Sequence, residues 1–479
     1  MQTTHQKTYY AVFFISFFCL TAPFIQIHNG QQVSTSYHQA TLLILAPDEF
    51  YDALVPLVMH KQQIGMNTKL ITLSEVYHQM FWHGRDEAEK IKYFIKTAVE
   101  EWGTQYILLV GGLKGQTREW YLPVRYVYMD DNWESRYISD LYYADIYDQN
   151  GNFSCWDSNG NGIYGEWYYD SPASDTYIDL RPDVAVGRLP CRSLYEVMIM
   201  VDKIIMYETY TYGQPWFEDF VVVAGDTYPE QYNPDWVGNE GEYYGDMAIE
   251  IMNSFTPHRL YTSDGSFSDQ SDVIAAINKG CGFIYFNGHG NPQTWGAHPP
   301  NDTVFITGLT TKTMPLLRNG EKLPVCVVGG CHNLQFDVTV LNFFTGLREE
   351  GLGFFTYKFF FKEWIPQCWG WRLTRKLGGG SIATLGCTAL GYTKEDKDSF
   401  TGGLDLVEVA FFEGYHTYNL TKVGDAWAYS VEWYADNYKI DWDSKAVSDS
   451  FIDVKIMQSW ILFGDPSLQI GGYPPSVFS

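Results

Sequence analysis

From Thr41 the chain alternates short, wholly apolar runs with longer stretches whose apolar residues recur at helical spacing. TLLILAP is followed by EFYDALVPLVMHKQQIG, then KLITL by a longer helical pattern ending in AVEEWG, and YILLVGG closes the series. Apolar runs with no polar alternate face suit a parallel sheet covered by helices on both sides, so the pattern predicts βαβ units. Between Tyr121 and Asp170 the rhythm breaks, and Tyr, Asp, Asn and Gly take over. DVAVGRLP then resumes as a strand and feeds SLYEVMIMVDKIIMYETY, a helix that reads as a connector. A second series follows: FVVVAGD, helices around Asp246 to Phe255 and Asp269 to Lys279, GFIYFNGHG, LPVCVVGGC, a helix near Trp369 to Lys376, and SIATLGC. The expected fold class is therefore α/β, two half-domains with mainly parallel sheets. They span residues 41–190, with an insertion, and 215–395, joined by a connecting helix over 191–214. Residues 396–479 form a C-terminal helical segment, whose helical pattern runs from Leu404 to Tyr438, and a closing strand in SWILFGDPSLQIGG.

The N-terminus differs from all of this. Met1 to Thr8 carries Lys7 and no acid, Tyr9 to Ile25 is uncharged and apolar, and a polar stretch follows. Residues 1–30 are expected to be a secretory signal, or an N-terminal anchor if they are retained. The place expected for the protein is thus outside the cell, at the surface if the anchor stays. Three N-x-S/T sequons, at Asn152, Asn301 and Asn419, are compatible with that route. Of eight cysteines, Cys19 would leave with the signal, and the seven remaining include at least one thiol that cannot pair.

At 479 residues the chain is too long for a disulfide scaffold or a lone binding module, and 46% hydrophobic against 19% charged residues excludes disorder. Lys and Arg number 32 against 57 Asp and Glu, a formal charge of -25, which argues against a nucleic-acid partner.

Two strands of the second series end in reactive residues, His289 after FIYFNG and Cys331 after LPVCVVGG. In open α/β sheets ligands sit beyond the carboxyl ends of strands, so these side chains can meet there. A thiolate nucleophile needs an imidazole to move its proton and backbone N–H groups to hold an oxyanion. Gly288, Gly290, Gly329 and Gly330 allow main chain to come close. His298 and His332 could be imagined in a His/Cys metal cluster, but zinc sites use tighter paired spacing.

GFIYFNGHGNPQTWG followed by LPVCVVGGCHNLQFD resembles the catalytic segment of the gingipain-type cysteine peptidases. TLLILAPDEF, YILLVGG, SDLYYADI, PDVAVGRLP, VVVAGD and FGDPSLQI resemble further family segments in the same order, so the likeness runs from about Thr41 to Gly472. The resemblance implies two caspase-like halves and a secreted cysteine endopeptidase acting on protein or peptide substrates. Cys331 would be the nucleophile, His289 the base and acid, Asp226 the acid that orients the imidazole, and Gly290 and Cys331 the oxyanion donors. Tyr392 stands about where Arg-specific members place a pocket Trp. Glu242 lies near their specificity acid, although Tyr243 and Tyr244 follow the Gly-Glu pair. With Trp295 these two make up the expected substrate-binding set. The rival is a catalytically inactive secreted binding protein on the same fold.

Two segments fall outside those motifs. In CWDSNGNGIYGEW, Asp157, Asn159, Asn161, the Ile163 carbonyl and Glu166 place oxygens much as the first half of an EF-hand loop does, which predicts calcium. Position 12 of that loop would be Tyr168, so Glu166, Asp170 or Asp175 must complete the shell. Residues 343–371 are rich in Phe and Trp, and are expected as an extra packed element or else as an aromatic wall beside the site.

Overall fold

The computed structural model describes residues 39–478 apart from 177, 232–238, 357–360, 397–398 and 447, so the expected signal segment lies outside the described residues. The apolar runs become strands β1 (Leu42–Ala46), β2 (Thr68–Thr72), β3 (Tyr106–Val110), β4 (Ala185–Leu189) and β5 (Asp219–Ala224). They continue as β6 (Thr256–Tyr261), β7 (Phe283–Asn287), β8 (Val325–Gly329), β9 (Ala383–Cys387) and β10 (Trp460–Phe463). All ten join one sheet in the order β2-β1-β3-β4-β10-β9-β8-β7-β5-β6. The two halves thus share a continuous sheet. The closing strand of the sequence lies at its centre, parallel to β4 and antiparallel to β9. Every other pairing within the sheet is parallel.

Burial explains the composition of these strands. β1, β3, β7, β8 and β9 are buried at every position, because helices cover both faces. The two edge strands differ: β2 is only partly buried beyond Thr68, and β6, with the sequence TPHRLY, has its first four residues exposed, its proline and charge discouraging further pairing.

Among the helices, α1 (Tyr51–Gln63), α2 (Glu87–Trp102) and α3 (Leu194–Tyr210) pack on the first half. Asp86 caps α2 by accepting from the Glu89 N–H, and Gly103 ends it at φ 68°, a conformation glycine takes without strain. The second half carries α4 (Glu240–Ile251) and α5 (Gln270–Lys279), the latter opened by an Asp269–Asp272 capping box. The helical pattern after Leu404 divides into α6 (Leu404–His416) and α7 (Val423–Asn437), and α8 (Asp449–Ser459) leads into β10. Among the described residues no helix is long and apolar enough to cross a membrane. All seven described cysteines are free thiols, and the three sequon asparagines are exposed.

Candidate active site

Strand register places the chemistry. Gly329 at the end of β8 pairs with Asn287 at the end of β7, and Asn287 pairs with Ala224 at the end of β5. Cys331, His289 and Asp226 therefore each lie two residues past the same level of three adjacent strands. Cys331 and His289 line one small cleft of about 30 Å³, together with Thr227, Gly330, Gly391 and Asp405.

The close approach depends on glycine. A Cβ on Gly290 would fall 2.1 Å from Asn333 Oδ1 and 2.8 Å from the Cys331 carbonyl, and one on Gly329 would fall 2.6 Å from a Glu408 carboxylate oxygen. Asn333 ties the two sides together, its Nδ2 donating to the carbonyls of Asn291 at 2.9 Å and Thr294 at 3.2 Å.

His289 Nε2 donates to the Thr227 carbonyl at 2.7 Å, which leaves Nδ1 as the basic nitrogen of the neutral ring. This corrects the expectation for Asp226. Its carboxylate accepts instead from the Asn301 N–H at 2.8 Å, while its backbone pairs in both directions with His298. Thr227 is held in turn by Glu240, whose Oε2 accepts from the N–H groups of Thr227 at 3.2 Å and Tyr228 at 3.4 Å. Burial raises both the Asp226 and Glu240 carboxyls; the Asp226 charge raises Glu240 further, to about 7, whereas a hydrogen bond with Glu240 lowers Asp226, so the shared proton is favoured on Glu240.

Burial also pulls the His289 imidazole below its ordinary range, partly offset by the Thr227 carbonyl, and pushes the Cys331 thiol up. The thiol itself faces the Gly391 carbonyl, with Sγ 3.6 Å from its oxygen. Both shifts favour the neutral forms of the thiol and the imidazole.

Two of the expected pocket residues, Trp295 and Glu242, are taken up in buried bonds. Trp295 is fully buried in the core against Phe286 and donates from Nε1 to the Gly329 carbonyl at 2.8 Å, so it pins the strand that carries Cys331. Glu242 is also buried and accepts from Ser263 and Thr262. An indole and a carboxylate need these partners once out of water. Tyr392 is half-buried and donates to Asp131 Oδ2 at 2.7 Å. Asp131 belongs to a network with Lys455, Glu134 and His332. A larger cavity of about 620 Å³ shares Glu134 and is walled by Trp120, Trp133, Arg118 and Arg136.

The Asp157 loop closes on itself. Asp157 accepts from the N–H groups of Asn161 at 3.1 Å and Gly162 at 3.0 Å, and pairs with Arg85 at 2.5 Å. Asn159 and Asn161 both donate from Nδ2 to Glu166 Oε2, at 3.1 and 2.8 Å. Asp175 accepts from the Ser158 and Glu166 N–H groups, whereas Ile163 donates to Asn161 Oδ1. Among the described residues no three His, Cys, Asp or Glu side chains gather as metal ligands would. A cation here would have to use asparagine and main-chain oxygens beside Asp157 and Glu166.

Of the aromatic segment, Trp369 and Trp371 are core, whereas Phe344 and Phe355 are exposed. Its Tyr357, Phe359 and Phe360 lie outside the described residues. Sequence reasoning missed the Thr227 and Gly391 carbonyls, Asn333 and Glu134.

A cysteine and a histidine at the ends of neighbouring strands, over one cleft in a large mostly parallel sheet, define the gingipain-like α/β class. The chain belongs to peptidase family C25, whose family model matches residues 35–471. Among solved structures it is similar to the Arg specific cysteine proteinase gingipain R, at 17% identity and a TM-score of 0.60, over 91% of this chain and 79% of that one. It is also similar to the complex of Porphyromonas gingivalis RgpB pro- and mature domains, at 17% identity and a TM-score of 0.58, over 90% of this chain and 80% of that one. At such identity the likeness speaks for the fold. An uncharacterized protein of Archaeoglobus fulgidus is 22% identical over 281 residues, which are 56% of this chain and 62% of that protein.

Proposed function

We propose that the chain is an exported cysteine endopeptidase in which Cys331 attacks the peptide carbonyl and His289 takes and returns the proton. The observation that carries this reading is the common register of the two residues beyond adjacent strands, over a single cleft. In this reading the N–H groups of Gly290 and Cys331 stabilise the oxyanion, since no side chain separates the two backbones there. The apolar N-terminal run supports export. The relative solved as gingipain R is described as Arg specific. Here Glu242 is held by Ser263 and Thr262, so its carboxylate is not the group that would select a basic residue.

Calcium is proposed as a structural guest of the Asp157 loop, held by Asp157, Glu166 and oxygens of Asn159, Asn161 and Ile163. It would replace Arg85 as the neutralising charge, and the two asparagine amides would turn their oxygens inward.

The dyad is tested by substitution. Cys331→Ala should abolish peptide hydrolysis while moving the thermal midpoint little, because only covalent chemistry is removed. Full hydrolysis by that variant would remove Cys331 as nucleophile, and wild-type protein that hydrolyses nothing in a peptide library would favour the inactive binding protein.

A further inference from the structure

His332, directly after the nucleophile, has φ 56°, in the left-handed region that a histidine seldom occupies. Such a backbone persists only where its surroundings over-determine it. The His332 N–H donates to the Ala389 carbonyl at 2.9 Å, and its ring Nε2 lies 2.8 Å from Glu134 Oε2.

Glu134 comes from the first half of the chain, 198 positions away. Its other oxygen accepts from the Leu390 N–H at 2.8 Å and lies 2.6 Å from Lys455 Nζ of α8. Leu390 precedes Gly391, whose carbonyl the Cys331 thiol faces. One carboxylate, only 15% exposed, thus grips both the turn that follows Cys331 and the loop after β9 opposite it. Lys455 also pairs with Asp131, which accepts from the Tyr392 hydroxyl. Burial alone would raise the Glu134 carboxyl, but Lys455 and His332 bring it down to about 2, so it keeps its charge.

We propose that Glu134 and His332 form a positioning pair that fixes the nucleophile turn across the junction of the two halves. The proposal rests on the reading of Cys331 as the nucleophile. It also makes the active centre a joint product of both halves and of α8, since neither half alone supplies the grip.

The pair has an electrostatic signature. The titratable groups around the thiol are His289, Tyr228 and Asp405 in the cleft, with Tyr392, Cys387, Glu134 and Lys455 close enough to act on it by charge. Of the last two, Glu134 opposes thiolate formation and Lys455 favours it. Removing the Glu134 charge should therefore ease ionisation of Cys331 while loosening its position.

The test compares the mature chain with Glu134→Gln, His332→Gly and the double variant. Glycine is chosen at 332 because it takes a positive φ freely, so any loss reflects the missing contact with Glu134. In Glu134→Gln, iodoacetamide labelling of Cys331, read by peptide mass spectrometry, should have its pH midpoint shifted downward. The kcat for peptide hydrolysis should nevertheless fall on the order of 10- to 100-fold with KM little changed, as expected of a displaced reacting group. The double variant should be no slower than the slower single variant, because both remove one contact. An unchanged labelling profile together with unchanged kcat in Glu134→Gln would overturn the pair, as would losses that multiply in the double variant. If wild-type protein hydrolyses no peptide, the peptidase reading fails by itself, and an unshifted labelling profile still overturns the pair. Should Glu134→Gln not fold, unchanged kcat in His332→Gly overturns it.

Discussion

Burial favours the neutral forms of both Cys331 and His289: it disfavours the thiolate on one side and the imidazolium on the other. In the proposed reaction the proton would then have to move during attack, which is general-base chemistry. With its folded value depressed, His289 stays neutral to lower pH than an ordinary imidazole, so the acid limb of kcat/KM should lie below the ordinary histidine range. His289→Ala should cost about 10²–10⁴-fold, with the residual rate rising at alkaline pH where thiolate forms unaided. A pH profile of kcat/KM for both proteins checks this, and an acid limb at or above the ordinary histidine range would point to a preformed thiolate–imidazolium pair. Asp226 is not the group bonded to the imidazole Nε2, which meets the Thr227 carbonyl.

At the scale of elements, the Asp157 loop is held by its own turns and by Arg85, whose side chain is 43% exposed and also pairs with Glu89. Buried Asp157, Glu166 and Asp175 concentrate negative charge there, and burial, with a smaller push from Asp157, raises Asp175. If calcium binds the folded chain alone, it adds roughly 2.7 kcal/mol at a hundredfold excess over Kd. Chelation should then lower the melting temperature, Asp157→Ala should abolish most of that difference, and Arg85→Ala should enlarge it by removing the competing cation. Identical melting curves with calcium and with chelator would end the proposal.

Which elements were legible follows from their environment. The strands buried on both faces announce themselves as apolar runs, and so do the two residues at the ends of β7 and β8. Edge strand β6 does not, because exposure removes the need for apolar residues. Helix α8 shows no apolar stripe because it is buried at nine of its eleven positions, Asp453 and Lys455 included, so its helical period is lost. Main-chain groups such as the Thr227 and Gly391 carbonyls carry no residue signature at all. Trp295 and Glu242 misled because residue type near a motif says nothing of which way a side chain turns.

For the whole molecule, β10 is the decisive placement, since a strand from the last twenty residues separates and joins the two halves. Just beyond it, Asp465 shares Lys61 of α1 with Glu208 of α3, in a cluster with no exposed member. Burial would lower Lys61 and raise Glu208, but the mutual charges win, leaving Glu208 at about 2. A carboxylate depressed on folding contributes stability above its unfolded value and loses it as pH falls towards 2. Other buried carboxyls work the opposite way: burial raises Asp405 to about 6 and raises Glu408, Asp226 and Glu240 as well. These hold protons that the unfolded chain releases above about pH 4, so they subtract stability as pH rises from there to neutrality. The formal charge of -25 adds self-repulsion in the same direction. The melting temperature should therefore peak between about pH 4 and 6, below neutrality, and fall on both sides. Because one sheet spans both halves, unfolding should be a single transition by both fluorescence and circular dichroism. Two separate transitions would contradict the coupling through β10, and a stability maximum at or above pH 8 would contradict the protonated buried carboxyls.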